Sequence, residues 1–218
     1  MIRPAIFLDR DGVINRNRSG HIKSWAEFEF IPGAIEALQR LAQLGWPIVV
    51  VSNQGAIGRG LVSQQTVDEI HTKMVSIVQS EGGRIDEVLY CPHRPEDNCA
   101  CRKPRPGLLL RAADQLGLDL SHSFLIGDAE TDIFTAQLVS CFPVLVKTGR
   151  GLGHMAWLRQ GNMIGYYLAE DLADAVNWIL GPGWLTKFYP ISSRMPIIGL
   201  NMLQNTLTDA APYALGNS

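Results

Sequence analysis

No apolar run in this 218-residue chain reaches the roughly 20 residues a helix needs to cross a bilayer, so no stretch of it reads as a membrane span. Basic blocks are missing too. Lysine and arginine total 19 against 21 aspartates and glutamates, a net charge of −2, and a nucleic-acid partner held by electrostatics is not expected. Cysteine is scarce: four residues, three of them crowded between Cys91 and Cys101 with a histidine among them. That makes a poor disulfide framework and a better metal cluster. Cys141 stands apart and reads as a small buried residue. Repeats and low-complexity blocks are absent. The start, Met1-Ile2-Arg3-Pro4, meets a proline and then a polar-ended strand too soon for a signal peptide, so the cytoplasm is the expected location.

What the chain does have is apolar content, 46% of residues, enough for one sizeable core. Ala5 to Leu8, Ile48 to Val51, Glu87 to Tyr90, Phe124 to Ile126 and Val144 to Val146 read as strands. Most are continuous in apolar residues, as buried parallel strands are. Between them apolar residues recur at helical spacing. One face is Ile35, Leu38, Leu41 and Ala42. Another, capped by Ser63, is Val67, Ile70, Met74, Ile77 and Val78. Further helices are expected at about 108–116, stopped by Gly117, at 133–138 and at 171–180. The alternation predicts an α/β fold, a mainly parallel sheet with helices on both faces. The pattern stops at Gly181. Residues 1–180 are expected to form the domain. Residues 181–218 are expected to be an appendage: a segment wrapped on the domain, a partner-binding arm, or disorder.

Polar residues gather where the strands end. Asp9 and Asp11 follow the first strand, one residue apart, and side-chain alternation points both the same way. Ser52 and Asn53 follow the second, Arg102 and Lys103 come after the third, and Asp128 with Asp132 follows the fourth. In a doubly wound sheet such ends converge on one crevice. Taken singly, each is as ordinary as a Gly-Asp turn or a solvated lysine. Together they suit phosphoryl transfer: acids for Mg²⁺, a hydroxyl and a lysine for phosphoryl oxygens, a carboxylate to attack phosphorus.

These residues resemble the motifs of the haloacid dehalogenase-like phosphatases: Asp9-Arg10-Asp11-Gly12-Val13, Ser52, Lys103, and Gly127-Asp128 with Asp132. The resemblance implies a Rossmann-like, doubly wound sheet of about five to six strands, and a set of roles. Asp9 is the expected nucleophile that forms an aspartyl-phosphate, and Asp11 the acid and base. Mg²⁺ is expected on Asp9, the backbone carbonyl of Asp11, and Asp128. Ser52 and Lys103 are expected to hold the transferring group, with Asp132 supporting.

A second constellation is Cys91-Pro92-His93 followed by Cys99-Ala100-Cys101. Three thiols and an imidazole make a closed, structural Zn²⁺ set with no open position. The alternative is buried free thiols beside a surface histidine, which the polar loop from Arg94 to Asn98 disfavours. Such a zinc loop, 91–101, would staple a coreless segment and fix Arg102 and Lys103 at the crevice mouth. With Ser52-Asn53-Gln54 and Arg59-Gly60, it narrows the resemblance to the heptose-bisphosphate phosphatase subgroup, which includes histidinol-phosphate phosphatases and carries the zinc loop in place of a large cap. That implies Asn53, Arg59 and Arg102 as substrate contacts. It also implies removal of the 7-phosphate of a heptose 1,7-bisphosphate, with histidinol phosphate or another small sugar phosphate as the alternative. Three positions depart from the subgroup pattern: His21 where a tyrosine is usual, Ala129, and Ser140. The expected partner is a small phosphorylated sugar, with no nucleic acid and no membrane, and a monomer apart from any contact made by the tail. A non-catalytic interaction protein is disfavoured because Asp9, Asp11, Lys103 and Asp128 are all intact. A DNA 3′-phosphatase shares the chemistry but lacks the basic face.

Overall fold

The computed structural model describes residues 3–161 and 164–181. Six parallel strands form one sheet. In chain order they are β1 (Ile6–Leu8), β2 (Ile48–Asn53), β3 (Glu87–Cys91), β4 (Phe124–Gly127), β5 (Phe142–Val146) and β6 (Tyr167–Ala169). Their spatial order is β3-β2-β1-β4-β5-β6. The chain winds outward from β1 to β3, returns to the far side of β1, and winds outward again. The reversal lies between β1 and β4, which makes their carboxyl ends the topological switch point where such sheets bind ligands.

Burial follows from that order. β1 is central, and Ile6, Phe7 and Leu8 are fully buried. Only residues buried on both faces can be continuously apolar without exposing hydrophobic surface. The edge strand β3 alternates more, and Glu87 and Val88 are only half-buried. Leu8 pairs with Val50 on one side and Ile126 on the other. This register brings Asp9, Ser52 and Asp128 out at one end of the sheet.

Among the described residues there are seven α-helices: α1 (Ala34–Ala42), α2 (Gly55–Gly58), α3 (Gln64–Ser80), α4 (Gly107–Leu116), α5 (Glu130–Leu138), α6 (Gly151–Gln160) and α7 (Leu172–Leu180). The Ser63 hydroxyl accepts from the Thr66 N–H at 3.0 Å and starts α3, as its position suggests. Gly117 takes a left-handed conformation, φ 64°, and ends α4. Phe7, Val49, Val51 and Leu89 of the sheet pack on Leu108, Leu109 and Ala112 of α4. Each large apolar side chain so buried contributes about 1.5–3 kcal/mol.

Some expectations need correction. The buried face of α1 is Ala34, Ala37, Leu38 and Leu41. Ile35 and Ala42 are half-buried, because small alanines let the helix lie close and turn its face by about one position. On α3 Ile77 is half-buried, and the fifth buried residue is His71. α5 begins at Glu130 rather than at 133. Its opening turn is held by Asp132, whose Oδ2 accepts from the Ala129 N–H at 3.1 Å. α2, α6 and β6 were not foreseen.

The chain divides into two compact units, Met1–Val176 and Asn177–Ser218. Of the second, only 177–181 are described, so the expected appendage lies outside the described residues apart from Gly181. No described helix is long and apolar enough to cross a membrane.

Candidate active site

A cavity of about 600 Å³ opens at the carboxyl end of the sheet. Its lining brings together Asp9, Asp11, Ser52, Asn53, Arg59, Arg102 and Lys103, each named from the sequence. Asp128 and Asp132, both buried, stand with Asp9 in a cluster in which one carboxylate oxygen from each lies within 4.8 Å of the other two.

Asp9 is the first residue past β1. Its N–H still donates to the Ile126 carbonyl at 2.9 Å, so the ladder fixes its backbone. Its Oδ1 accepts from the Arg10 N–H at 2.8 Å and lies 3.1 Å from Lys103 Nζ. That ammonium is buried and fully used, also lying 2.6 Å from Asp132 Oδ1 and donating to the Val51 carbonyl at 2.8 Å. Burial alone would lower the Lys103 pKa, but the Asp132 and Asp9 carboxylates outweigh it and hold the group above its usual value. Asp9 moves the other way. Burial pushes its carboxyl up to about 7, with Lys103 opposing and Asp132, Asp128 and Asp11 adding. Asp132 is raised chiefly by burial as well. Three buried carboxylates this close are short of positive charge.

Asp128 is fully buried. Arg150 donates to it three times, from its backbone N–H and Nε to Oδ2 at 2.9 and 3.4 Å and from Nη2 to Oδ1 at 3.1 Å. Glycines leave it room. A Cβ on Gly12 would lie 2.2 Å from Asp128 Oδ2, one on Gly149 2.3 Å from the same atom, and one on Gly127 2.2 Å from Asp132 Oδ2. Gly12 also has φ +89°, where an L side chain is strained. The oxygen donors, the raised Asp9 and the glycine cradle fit a small hard dication such as Mg²⁺. Gly12→Ala should therefore cost about 1–3 kcal/mol and weaken the Mg²⁺ dependence of activity by about tenfold. Melting and Mg²⁺ titration check this, and a variant unchanged in both would refute the cradle.

Asp11 is separate from that cluster. Its carboxylate takes a fork from Arg10 Nη2 at 3.0 and 2.9 Å, Asn15 Nδ2 at 3.0 Å and Gln54 Nε2 at 2.9 Å. Burial would raise its pKa, but Arg10 and these hydrogen bonds hold it below the usual value. Gln54 Nε2 also donates to Ser52 Oγ at 2.8 Å. Asn53, expected to touch substrate, spends its amide on the backbone of Lys103: Oδ1 accepts at 3.0 Å and Nδ2 donates at 3.1 Å. Arg102 Nη1 donates to the His93 carbonyl at 3.1 Å while the residue lines the mouth with Arg59, Arg18 and Arg105.

Beside the mouth, Cys91 closes β3 and meets His93, Cys99 and Cys101. The sulfur separations Cys91–Cys99 and Cys99–Cys101 are both 3.4 Å. His93 Nδ1 lies 3.6 Å from Cys91 Sγ and 3.3 Å from Cys101 Sγ. A zinc tetrahedron has edges of roughly 3.5–3.8 Å, so the four donors fit that ion. None of the cysteines is in a disulfide. Burial pushes the Cys91 thiol up to about 12. At Cys99 burial is outweighed by hydrogen bonds from Cys101 and Cys91, which bring that group down to about 7. Arg105 Nη1 donates to the Cys99 carbonyl at 2.8 Å and pins the loop from its far side.

Arg150, Gln54, Arg10 and Asn15 were missed, the last because it reads only as the start of a polar loop. Arg150 follows the end of β5, where the strand-end rule that found the others also applies. Gln54 closes the Ser-Asn-Gln segment and was passed over beside its neighbours. Arg10 had no usable signal, since arginine is almost never fully buried.

Comparison with known proteins agrees with this geometry. Residues 100–175 match the HAD-hydrolase-like family model. The chain is 43% identical over 181 residues to the D-glycero-beta-D-manno-heptose-1,7-bisphosphate 7-phosphatase of Pseudomonas aeruginosa, covering 83% of this chain and 99% of that one. It is 38% identical over 190 residues to the D-glycero-D-manno-heptose-1,7-bisphosphate 7-phosphatase of Thermosynechococcus vestitus, covering 82% and 96%. Among solved structures, the D,D-heptose 1,7-bisphosphate phosphatase of Bordetella bronchiseptica, complexed with magnesium and phosphate, superposes with a TM-score of 0.77. It shares 38% identity and covers 81% of this chain and 98% of its own.

Proposed function

The chain belongs to the D-glycero-D-manno-heptose-1,7-bisphosphate 7-phosphatase family of haloacid dehalogenase-like hydrolases, and from that premise we propose that it removes the 7-phosphate of this heptose bisphosphate in a Mg²⁺-dependent reaction through an aspartyl-phosphate. One observation carries the reading beyond family membership: Asp9 and Lys103 meet at the floor of a cavity whose mouth is arginine-rich. Such a site suits a small, multiply anionic ester.

The roles follow from the contacts. An Asp9 oxygen attacks phosphorus, the phosphorus–sugar oxygen bond breaks, and Asp11 gives its proton to the leaving oxygen. Asp11 then takes a proton from water, which attacks the aspartyl-phosphate and frees inorganic phosphate. In the free protein Arg10, Asn15 and Gln54 keep Asp11 ionised. An arriving phosphate dianion opposes them and favours the protonated form that the first step uses. Lys103 and Ser52 hold phosphoryl oxygens. Asp132 fixes Lys103 from beneath, and Asn53 fixes its backbone, a positioning role rather than the substrate contact first expected of it. Arg59 and Arg102 stand where a second anionic or hydroxyl-bearing part of the substrate would reach. Mg²⁺ would be held by Asp9, Asp128 and the Asp11 backbone carbonyl, and when bound it neutralises charge on the phosphoryl group and keeps Asp9 ionised. Zn²⁺ on Cys91, His93, Cys99 and Cys101 would be structural, with no open position.

Phosphate release from a panel tests the assignment. With Mg²⁺ present, kcat/KM for heptose 1,7-bisphosphate should exceed that for histidinol phosphate and simple sugar monophosphates by at least about tenfold. A preference for histidinol phosphate would move the substrate, and no release from any member would overturn the activity.

A further inference from the structure

Arg10 is 1% exposed, the largest of the fully buried side chains among the described residues. Its Nη2 forks to both oxygens of Asp11 and reaches Gln54 Oε1 at 3.1 Å. Its Nη1 lies 2.9 Å from His71 Nε2, on the buried face of α3. A guanidinium has only donors. The contact therefore requires Nε2 to accept, which puts the imidazole hydrogen on Nδ1 and keeps the ring neutral. The site agrees: burial first, and then the charge of Arg10, holds the His71 pKa down to about 3.

This arrangement is expensive for the fold. His71 Nδ1 has no hydrogen-bond partner among the described residues, and neither has Arg10 Nε. Buried donors left unpaired cost stability. The rest of the same helix face is filled by Val67, Ile70, Met74 and Val78, so an apolar side chain would suit packing better. Packing does not account for the imidazole. The direction of Arg10 does: with Nη1 anchored, the planar fork can turn only one way, and Nη2 is left facing Asp11. The Tyr90 ring, 5.1 Å from the imidazole between centroids, backs it from β3. Tyr90 is itself tied to α3 through its hydroxyl bond to Asp68.

We propose that His71 is a positioning residue for the acid–base carboxylate: its Nε2 accepts from Arg10 Nη1 and thereby aims Arg10 Nη2 across both oxygens of Asp11. The inference rests on the acid–base role given to Asp11 above. Without the acceptor, Arg10 keeps a buried charged donor with no partner on that side. It turns to find one, and Asp11 loses the geometry that proton transfer to the leaving oxygen needs.

The test compares His71→Phe, which fills the site without an acceptor, with His71→Gln, whose amide oxygen reaches toward the Nε2 position. His71→Leu serves as the second apolar variant should the Phe variant not fold. With heptose 1,7-bisphosphate, kcat of the apolar variant should fall about 10–100-fold, with KM within about twofold of wild type. The melting temperature should stay the same or fall modestly, because the unpaired His71 Nδ1 is lost but Arg10 Nη1 is left without its acceptor. His71→Gln should recover at least about tenfold of the lost kcat. With p-nitrophenyl phosphate, whose leaving group needs no proton, the first-turnover burst of the apolar variant should stay as fast as wild type while its steady state slows. A space-filling role predicts the reverse, with the apolar variant keeping kcat and the Gln variant losing stability, and that result would overturn the proposal. Asp11→Asn separates the two levels. If it stays active, the acid–base reading falls and takes this inference with it. If it is inactive while the apolar variant keeps wild-type kcat, only the inference falls.

Discussion

Asp9→Asn is expected to lose turnover by about 10⁴-fold or more, yet the metal-free protein should melt about 2–4 °C higher than wild type at pH 8. The loss is simple: an amide nitrogen or carbonyl oxygen does not displace a sugar oxygen from phosphorus. The gain follows from linkage. Folding raises the Asp9 carboxyl from the ordinary aspartate range to about 7, mainly through burial. The folded chain then binds a proton that the unfolded chain has released, so stability falls as pH rises through that window. Below about pH 4 the wild-type carboxyl is protonated in both states and carries no penalty. Above about pH 7 it carries the whole of it. The amide never does. Lys103 keeps Asp132 and the Val51 carbonyl in the variant, so it is not stranded. The difference in melting should vanish toward pH 4 and reverse when Mg²⁺ is added, because only the carboxylate gains from the ion. Turnover within tenfold of wild type would remove Asp9 as nucleophile, and a fall in melting at pH 8 without metal would contradict the electrostatics. A site that is more stable once disabled is a functional one.

Most of this site was legible because strand ends are legible. Apolar runs in parallel strands stop abruptly, and the polar residue at each stop points into the crevice; Asp9, Ser52 and Asp128 were found that way. Lys103 was found by motif and by nearness to the last cysteine. The structure adds that Asn53 clamps its backbone, a contact across 50 residues that no local pattern carries. His71 was invisible for a similar reason. It sits at a position of α3 that helical spacing marks as inward, but a polar residue there breaks the apolar period rather than extending it. Arg10 lay between two recognised aspartates, and composition argues for an arginine outside. Its burial depends on Asp11, Gln54 and His71 arriving from three separate segments. Of the parts of the fold that went unread, α2 is a single four-residue turn, and α6 and β6 are weakly patterned. α6 carries two glycines in its first turn, Gly151 and Gly153, with Gly149 just before it, and β6 is a three-residue edge strand. Their order is set by tertiary contact, Leu158 packing on Ile133 and Leu145, not by local preference. The same glycines serve the site, since Gly149 lies against Asp128 and a Cβ on Gly151 would strike the Val146 carbonyl.

Removing zinc should lower the melting temperature by about 10 °C or more while changing the chemical step much less. The segment from Cys91 to Cys101 has one short 3₁₀ turn, Pro95–Asp97, and within it only Cys91 is fully buried. One ion held by the four donors would supply the order that packing does not. Zinc in small finger domains supplies about 10–16 kcal/mol of folding free energy. Here the sheet has its own buried core, so only the fraction spent on the loop should be lost. The consequences for function follow from what the loop carries. Pro95, Asn98 and Arg102 line the mouth of the cavity, whereas Lys103 is held independently by Asn53, Asp9 and Asp132. Chelation should thus raise KM for the bisphosphate by about 10–100-fold and leave kcat within about threefold. Cys99→Ser should do the same without a chelator. Metal analysis of the purified protein is expected to give one zinc per chain. Zinc absent, with melting unaffected by a chelator, would overturn the cluster. A fall in kcat with KM unchanged would place the zinc loop's influence on Lys103 rather than on the arginines at the mouth.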